Sequence, residues 1–190
     1  AWVVTADLSD PGGAERCMDA ALAATGGRLD GLVNNASHYP ASRLLSVPPG
    51  ELEASLRLHA TAPLLLARRM AALGGTGDIV NVLDARMTMY DAEHAAYHLG
   101  KRMLLNLTRM LALELAPRIR VNAVAPGAVL QPDGEPAAAL ERLAAFNPLR
   151  RHGSPAGLAG CRRFLMTWDF MTGQTLFYDG GYHLKAATYG

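Results

Sequence analysis

The sequence contains few cysteines, no long apolar run and almost no excess charge. Its 190 residues include two cysteines, Cys17 and Cys161, which give no disulfide framework and suit a reducing cytoplasm. No apolar run reaches the roughly 18 residues of a membrane-spanning helix, and the opening residues lack the pattern of a secretion signal. The formal net charge of +1 excludes the strongly basic surface of a nucleic-acid-binding domain. We therefore expect one cytoplasmic domain over residues 1–190, with no membrane or nucleic-acid partner.

Lysine is also scarce. Only Lys101 and Lys185 stand among the 18 basic residues, and all the others are arginine. A chain that uses arginine nearly everywhere else has a lysine where a slim, rotatable ammonium is needed. Each lysine is therefore a candidate for a specific role.

Short apolar runs alternate along the chain with longer segments of helical periodicity. The predicted strands are 2–4, 29–34, 78–83, 118–125 and 174–178; the predicted helices are 14–25, 51–73 with a kink at Pro63, 93–116 and 156–166, and 133–149 is a loop containing a short helix. Strands separated by helices predict an α/β fold, a Rossmann-like, doubly wound parallel sheet with helices on both faces. Ligands of such sheets bind beyond the carboxyl ends of the strands.

A tyrosine and a lysine stand four residues apart near the start of the longest predicted helix. Tyr97 and Lys101 therefore lie on one helical face. A free phenol, with a pKa of about 10, is a poor acid–base catalyst at neutral pH, and a cation within roughly 4–6 Å lowers that pKa. The ammonium of Lys101 also suits the hydroxyl groups of a ribose. The pair indicates either a catalytic phenol activated by an ammonium or an ordinary surface pair at helical spacing.

Polar residues follow two of the predicted strands. Asp84 comes directly after strand 78–83. In that position a carboxylate can either bind a substrate amide or hold Tyr97 and exchange protons. The alternative is an aspartate that begins a turn by accepting backbone N–H groups. Asn34-Asn35-Ala36-Ser37 follows strand 29–34. The small residues of this segment would let the backbone approach a flat ligand, and its amide side chains would bond neighbouring strands. The alternative is an ordinary Asx-type loop.

Taken together, these segments resemble the short-chain dehydrogenase/reductases. Asn34-Asn35-Ala36-Ser37 corresponds to the family's strand-end Asn-Asn-Ala-Gly signature, and Tyr97-x-x-x-Lys101 corresponds to its active-site pair. Residues 119–127, which end in Pro126-Gly127, resemble the strand with the family's Pro-Gly turn, and residues 172–181 resemble its closing segment. The likeness extends over essentially the whole chain.

Two departures from the family pattern narrow the resemblance. Asp84 stands where most of the family has a catalytic serine, and Ser37 replaces the usual glycine. Together with Tyr39-Pro40, these substitutions are similar to those of pteridine reductases. His59 stands where the family commonly has an asparagine, and a histidine at this position is similar to the dihydromonapterin reductases. The resemblance implies that NADPH reduces a dihydropteridine, such as dihydrobiopterin, dihydromonapterin or dihydrofolate, to the tetrahydro form.

The resemblance also implies roles for individual residues. Tyr97, made more acidic by Lys101, supplies or relays the proton to the ring nitrogen, and Asp84 binds the polar edge of the pterin. Either His38 or Tyr39 stacks on the pterin face opposite the nicotinamide, and no metal is expected. The cofactor-binding residues are Asp7, Leu8, Asn35, Ala36, Ser37, Tyr97, Lys101, Pro126 and Gly127; the substrate-binding residues are Ser37, His38, Tyr39, Asp84 and Tyr97.

His59 has two interpretations. It is either a buried imidazole bonded to a strand carbonyl or part of a proton relay.

One family feature is not found in the sequence. The family begins with a strand, a glycine-rich turn and a helix that hold the cofactor's pyrophosphate on backbone N–H groups. Here Gly12-Gly13 lacks the spacing, and Gly74-Gly75-Thr76-Gly77 precedes a strand. We expect the first strand-helix-strand unit to be absent, strand 2–4 to align with the family's third strand, and the chain to be part of a complete enzyme.

Two other functions fit the same sequence features. One is an NAD(P)H-dependent carbonyl or 3-oxoacyl ketoreductase that uses the same Tyr97–Lys101 pair. The other is a catalytically silent subunit that lacks the pyrophosphate-binding turn and only assembles with partners. Helices 51–73 and 93–116 resemble those that pair subunits in the family, which implies a homotetramer.

Overall fold

Four parallel strands form one continuous sheet at the centre of the protein. The computed structural model describes residues 1–131, 134 and 136–187. The strands are β1 (Gly31–Asn34), β2 (Gly77–Val82), β3 (Ile119–Pro126) and β4 (Thr175–Tyr178), in the spatial order β1-β2-β3-β4. Every neighbouring pair is parallel. The carboxyl ends of the strands therefore meet at one edge of the sheet, as predicted.

Helices cover both faces of the sheet. They are α1 (Gly13–Thr25), α2 (Pro49–Leu56), α3 (Ala62–Ala72), α4 (Ala95–Leu115), α5 (Ala137–Ala144) and α6 (Pro155–Thr167). Ile79 and Val121 pack against α3 and α4 on one face, and Val80 and Val124 pack against α6 on the other. Because both faces are buried, β2 and β3 consist of nearly continuous apolar runs. The α/β, Rossmann-like prediction is confirmed.

Two predicted elements differ in the structure. Residues 2–4 form no strand, and Trp2 and Val3 are exposed; a strand needs a neighbour for its N–H and C=O groups, and none lies beside this segment in the part of the chain that the structure describes. The predicted helix 51–73 is divided by a π-helical turn, Arg57–Thr61, which buries His59. Pro63 lies in the first turn of α3, where it needs no N–H partner.

The segment 133–149 is observed in part. It contains the short helix α5, while residues 132, 133 and 135 lie outside the described residues. None of the helices that the structure describes is both long enough and apolar enough to cross a membrane.

A buried row of polar side chains ties β1, β2 and α4 together beneath the site. The Asn34 amide nitrogen donates to Asn81 Oδ1 over 2.7 Å, and the Asn81 amide nitrogen donates to Thr108 Oγ1 over 2.9 Å. Thr108 in turn donates to the carbonyl of Leu104 in α4. The row gives the buried Asn81 and Thr108 side chains hydrogen-bond partners, as buried polar groups need. The expectation that the Asn34 amide bonds a neighbouring strand is confirmed.

Candidate active site

A cavity of about 360 Å³ opens at the carboxyl edge of the sheet. Six residues selected from the sequence line it: Ser37, Tyr39, Asp84, Tyr97, Pro126 and Gly127. Three large apolar side chains also line the cavity: Leu130, Leu143 and Phe146. The structure therefore brings residues from the ends of three strands and from the start of α4 into one cavity.

Asp84 holds the phenol of Tyr97 and also begins a turn. Its Oδ1 accepts the backbone N–H of Arg86 at 2.6 Å, which caps the short 3₁₀ helix Ala85–Thr88. Its Oδ2 accepts the hydroxyl of Tyr97 at 2.8 Å. The two interpretations of Asp84 thus coexist, because each uses a different carboxylate oxygen.

The acidity of Tyr97 is the reverse of the expectation. Burial raises the pKa of the Tyr97 phenol well above its ordinary value, and the Asp84 carboxylate raises it further through its charge and its hydrogen bond. The prediction that Lys101 dominates and lowers this pKa is wrong for this structure. Proximity to a cation is outweighed by the loss of water and by a closer negative charge.

Lys101 is buried in the wall behind Tyr97. Its Nζ donates to the carbonyl of Val82 at 2.7 Å and lies 5.6 Å from the centre of the Tyr97 ring. Burial lowers the pKa of Lys101 to about 8, although the Asp84 carboxylate opposes the shift. The slim ammonium therefore fits a place where the bulkier, planar guanidinium of arginine would not.

Tyr39, rather than His38, lies in the cavity. His38 lines a separate depression with Asp7. The Tyr39 ring stacks on His94 with a centroid distance of 3.9 Å and carries the Arg86 guanidinium 4.8 Å from its centre. Of the two residues, Tyr39 is the one that lines this cavity, and its ring is in contact with His94 and Arg86. Stacking of Tyr39 on a pterin stays a prediction.

The remaining cofactor candidates lie along the same edge but outside this cavity. Leu8, Asn35 and Ala36 line a neighbouring groove, and Asp7 is held by Ser9. In the part of the chain that is described, no three His, Cys, Asp or Glu side chains form a group that could hold a metal ion.

His59 fixes the loop that carries Ser37. Its Nδ1 lies 2.9 Å from the carbonyl oxygen of Ser55, so Nδ1 bears the proton, and Nε2 accepts from the Ser37 hydroxyl (3.1 Å) and the His38 N–H (3.3 Å). The predicted bond to a strand carbonyl is therefore wrong, because the π-helical turn directs the ring between α2 and the loop. Both ring nitrogens of His59 therefore have partners, which hold the loop of Ser37 in place. A part for His59 in a proton relay stays a prediction.

The buried imidazole predicts a pH dependence of stability. Burial, followed by the charge of Lys101, lowers the pKa of His59 from 6.5 to about 4. Between those values the unfolded chain binds a proton that the folded protein does not, so the free energy of unfolding decreases as the pH falls from about 6.5 to 4. The upper limit is about 3 kcal/mol, at roughly 1.4 kcal/mol for each pKa unit.

Urea unfolding of the wild type and of His59→Asn at several pH values measures this contribution. The asparagine variant is expected to lose less free energy over the same interval, because its amide does not titrate. An equal loss in both proteins would contradict the assignment. Burial also lowers the pKa of His98, so some dependence remains in the variant.

Two residues near the site were not predicted from the sequence: Arg86, which lines the cavity, and Asp91, whose carboxylate binds both Tyr39 and His94. Asp91 Oδ2 lies within 2.9 Å of His94 Nδ1 and accepts the Tyr39 hydroxyl at 3.1 Å. Although burial opposes it, hydrogen bonds from the Glu93 N–H, His94 and Tyr39 lower the pKa of Asp91. No motif marks these residues, since the turn after β2 brings them together.

Comparisons with known proteins agree with this geometry. A family model described as enoyl-(acyl carrier protein) reductase matches residues 1–183. A 3-oxoacyl-[acyl-carrier-protein] reductase of Synechocystis sp. is 35% identical over 81% of this chain and 65% of its own length. A dihydromonapterin reductase of Shigella boydii is 27% identical over 97% of this chain and 79% of its own length.

A solved structure extends the comparison to the fold. FolM alternative dihydrofolate reductase 1 from Brucella canis, complexed with NADP, is 31% identical and superimposes with a TM-score of 0.87, covering 100% of this chain and 74% of that one. The family match includes the strand ends and the Tyr97–Lys101 pair. The chain belongs to the short-chain dehydrogenase/reductase family of oxidoreductases.

Proposed function

We propose that this protein reduces a dihydropteridine to its tetrahydro form with NADPH. The observation that carries the proposal is the 2.8 Å hydrogen bond between Asp84 and Tyr97 inside a cavity with aromatic and apolar walls. A flat heterocycle with a polar edge suits such a cavity. The names of the Shigella and Brucella proteins support the same substrate class.

The residues of the cavity fit the nicotinamide end of the cofactor. Ser37, Pro126 and Gly127 offer a hydroxyl and exposed backbone beside Tyr97. The pyrophosphate end is different: α1 begins at Gly13, where an added Cβ would lie 1.9 Å from the Asp7 carbonyl oxygen, so this helix start is closed by the chain itself. When bound, NADPH supplies the hydride.

The chain's own residues handle the proton. Because the pKa of Tyr97 is raised, its phenol remains protonated at neutral pH, which is the form that donates a proton to the ring nitrogen. Asp84 orients the phenol and accepts N–H groups of the substrate. Lys101 supports Tyr97 from behind through the bond to Val82.

A ketoreductase is the second candidate. The family description and the Synechocystis relative favour it, and the Tyr97–Lys101 pair serves it equally. Reduction of a simple ketone gives no role to a carboxylate at Asp84, however, since a neutral hydroxyl is enough to bind a carbonyl oxygen.

Turnover by the full-length protein tests the choice. We expect NADPH oxidation with dihydrobiopterin, dihydromonapterin or dihydrofolate, and little with a 3-oxoacyl thioester or a simple ketone. Turnover of the ketone or thioester alone would select the ketoreductase. No turnover, together with no shift of thermal unfolding by NADPH, would select the silent subunit.

We also propose that the enzyme is a cytoplasmic homotetramer. Cys17 and Cys161 are free thiols, the usual state of cysteines in a reducing compartment. Apolar side chains on α4 are exposed in the single chain: Leu99, Met103, Met110 and Leu113. Such a face supports helix pairing between subunits.

A further inference from the structure

Arg86 places a guanidinium on the same cavity wall as Asp84. It lies in the 3₁₀ turn directly after β2, and it is the one cation among the described residues that line the cavity. Its side chain is partly exposed, at 39%. Neither a family motif nor the proposed chemistry assigns it a role.

The bonds that anchor Arg86 leave most of its donors free for a ligand. Its Nε lies 3.4 Å from Asp84 Oδ1 and its Nη2 lies 3.3 Å from Oδ2; charge-assisted bonds are usually about 2.7–2.9 Å long. The shorter partners of Asp84 are the Arg86 N–H and the Tyr97 hydroxyl. Asp84 therefore keeps its position without the guanidinium. Of the five N–H donors of the guanidinium, those on Nη1 form no hydrogen bond with Asp84.

Arg86 is nevertheless held in place over the cavity. Its Cζ lies 4.8 Å from the centre of the Tyr39 ring, a distance typical of a cation–π contact. The Tyr39 ring is itself fixed by its stacking on His94 and by its bond to Asp91. A guanidinium supported in this way loses little conformational entropy when it binds a ligand.

Asp84 and Arg86 together recognise a mixed polar edge. A carboxylate only accepts hydrogen bonds and a guanidinium only donates them, and here they stand side by side. The complementary ligand carries an N–H donor and a carbonyl oxygen on adjacent positions of one rigid ring edge. A dihydropterin has that edge, because its N3–H is bonded to the carbon that bears the 4-oxo oxygen.

We propose that Arg86 is a specificity-determining residue that binds the 4-oxo oxygen of the pterin ring. The inference rests on the proposed function. Donors directed at this oxygen also withdraw electrons, through the conjugated ring, from the C=N bond that is reduced. The geometry therefore favours 4-oxo pteridines over 4-amino pteridines, whose amino group would direct its own donors at the guanidinium.

A pair of competitive inhibitors tests the inference in the full-length protein. The probes are 2-amino-4-oxopteridine and 2,4-diaminopteridine, measured against NADPH oxidation with dihydrobiopterin. We expect the wild type to bind the 4-oxo compound more tightly by about 10- to 100-fold, the discrimination that hydrogen bonds to a charged group supply. In Arg86→Met the ratio is expected to fall to the part that Asp84 alone supplies.

Two further variants separate recognition from folding and from net charge. Arg86→Lys keeps a donor and a charge, so it is expected to retain part of the ratio. Arg28→Met removes an arginine whose exposed ion pair with Asp30 lies outside the cavity, and it is expected to retain all of it. An unchanged ratio in both Arg86 variants would overturn the inference while leaving the proposed function intact. No turnover and no pteridine binding by the wild type would overturn both.

Discussion

Replacement of Tyr97 by phenylalanine is expected to lower kcat for dihydropteridine reduction by about 10²- to 10⁴-fold, the usual contribution of a positioned proton donor. The variant removes one oxygen from the cavity and leaves the ring, which contacts His59 and Tyr39 edge to face. Steady-state NADPH oxidation by the full-length protein measures the effect. The KM for the pteridine should change much less, because Asp84 and the cavity walls remain.

Tyr90→Phe is the matched control for this variant. Tyr90 is 92% exposed and lies outside the cavity, so loss of its hydroxyl should leave kcat unchanged. Thermal unfolding of both variants checks that the fold is retained. Undiminished turnover in Tyr97→Phe would show that the proton comes from another group.

The wild-type pH profile carries the same argument. If Lys101 lowered the pKa of Tyr97, as the sequence alone suggests, the phenol would lose its proton near neutral pH and kcat/KM would fall there. The raised pKa in the structure predicts that loss of the phenolic proton does not limit kcat/KM until above about pH 10, the ordinary pKa of tyrosine.

The strands were predictable because both of their faces are buried. β2 and β3 consist of apolar runs, and such runs identify central parallel strands without any knowledge of their partners. Residues 2–4 have the same composition, but a strand also needs neighbours, and pairing between distant segments is not encoded in three residues. The error at this segment is therefore one of long-range contacts.

The main residues of the site were predictable for a different reason. Strand ends in a parallel sheet meet at one edge, so Asp84 and Tyr97, thirteen positions apart, could be expected in one cavity. Sequence spacing gives proximity, but it gives neither burial nor the competition between charges that raises the pKa of Tyr97. The role of Arg86 was likewise hidden, because the direction of its side chain depends on the 3₁₀ turn that Asp84 caps.

Asp84→Asn is expected to lower kcat/KM for the dihydropteridine by about 100-fold or more, since hydrogen bonds to a charged group are worth about 1.5–3 kcal/mol and two such contacts are weakened. The amide has nearly the same shape, and asparagine caps a turn as well as aspartate does, so the free energy of unfolding should change little. With its oxygen capping the turn, however, its amide nitrogen takes the place of Oδ2 and directs donors at both the Tyr97 hydroxyl and Nη2 of Arg86.

The same substitution tests the cause of the raised tyrosine pKa. The negative charge of Asp84 and its hydrogen bond both raise the pKa of Tyr97, after burial; without the charge, that pKa should move down toward the ordinary value for tyrosine. Ultraviolet titration of the variant against Asp84→Asn combined with Tyr97→Phe isolates this one phenol. Asp84→Ser introduces the hydroxyl most common in the family and should spare reduction of a simple ketone more than reduction of the pteridine. Equal losses on both substrates would mean that the carboxylate supports Tyr97 without recognising the heterocycle.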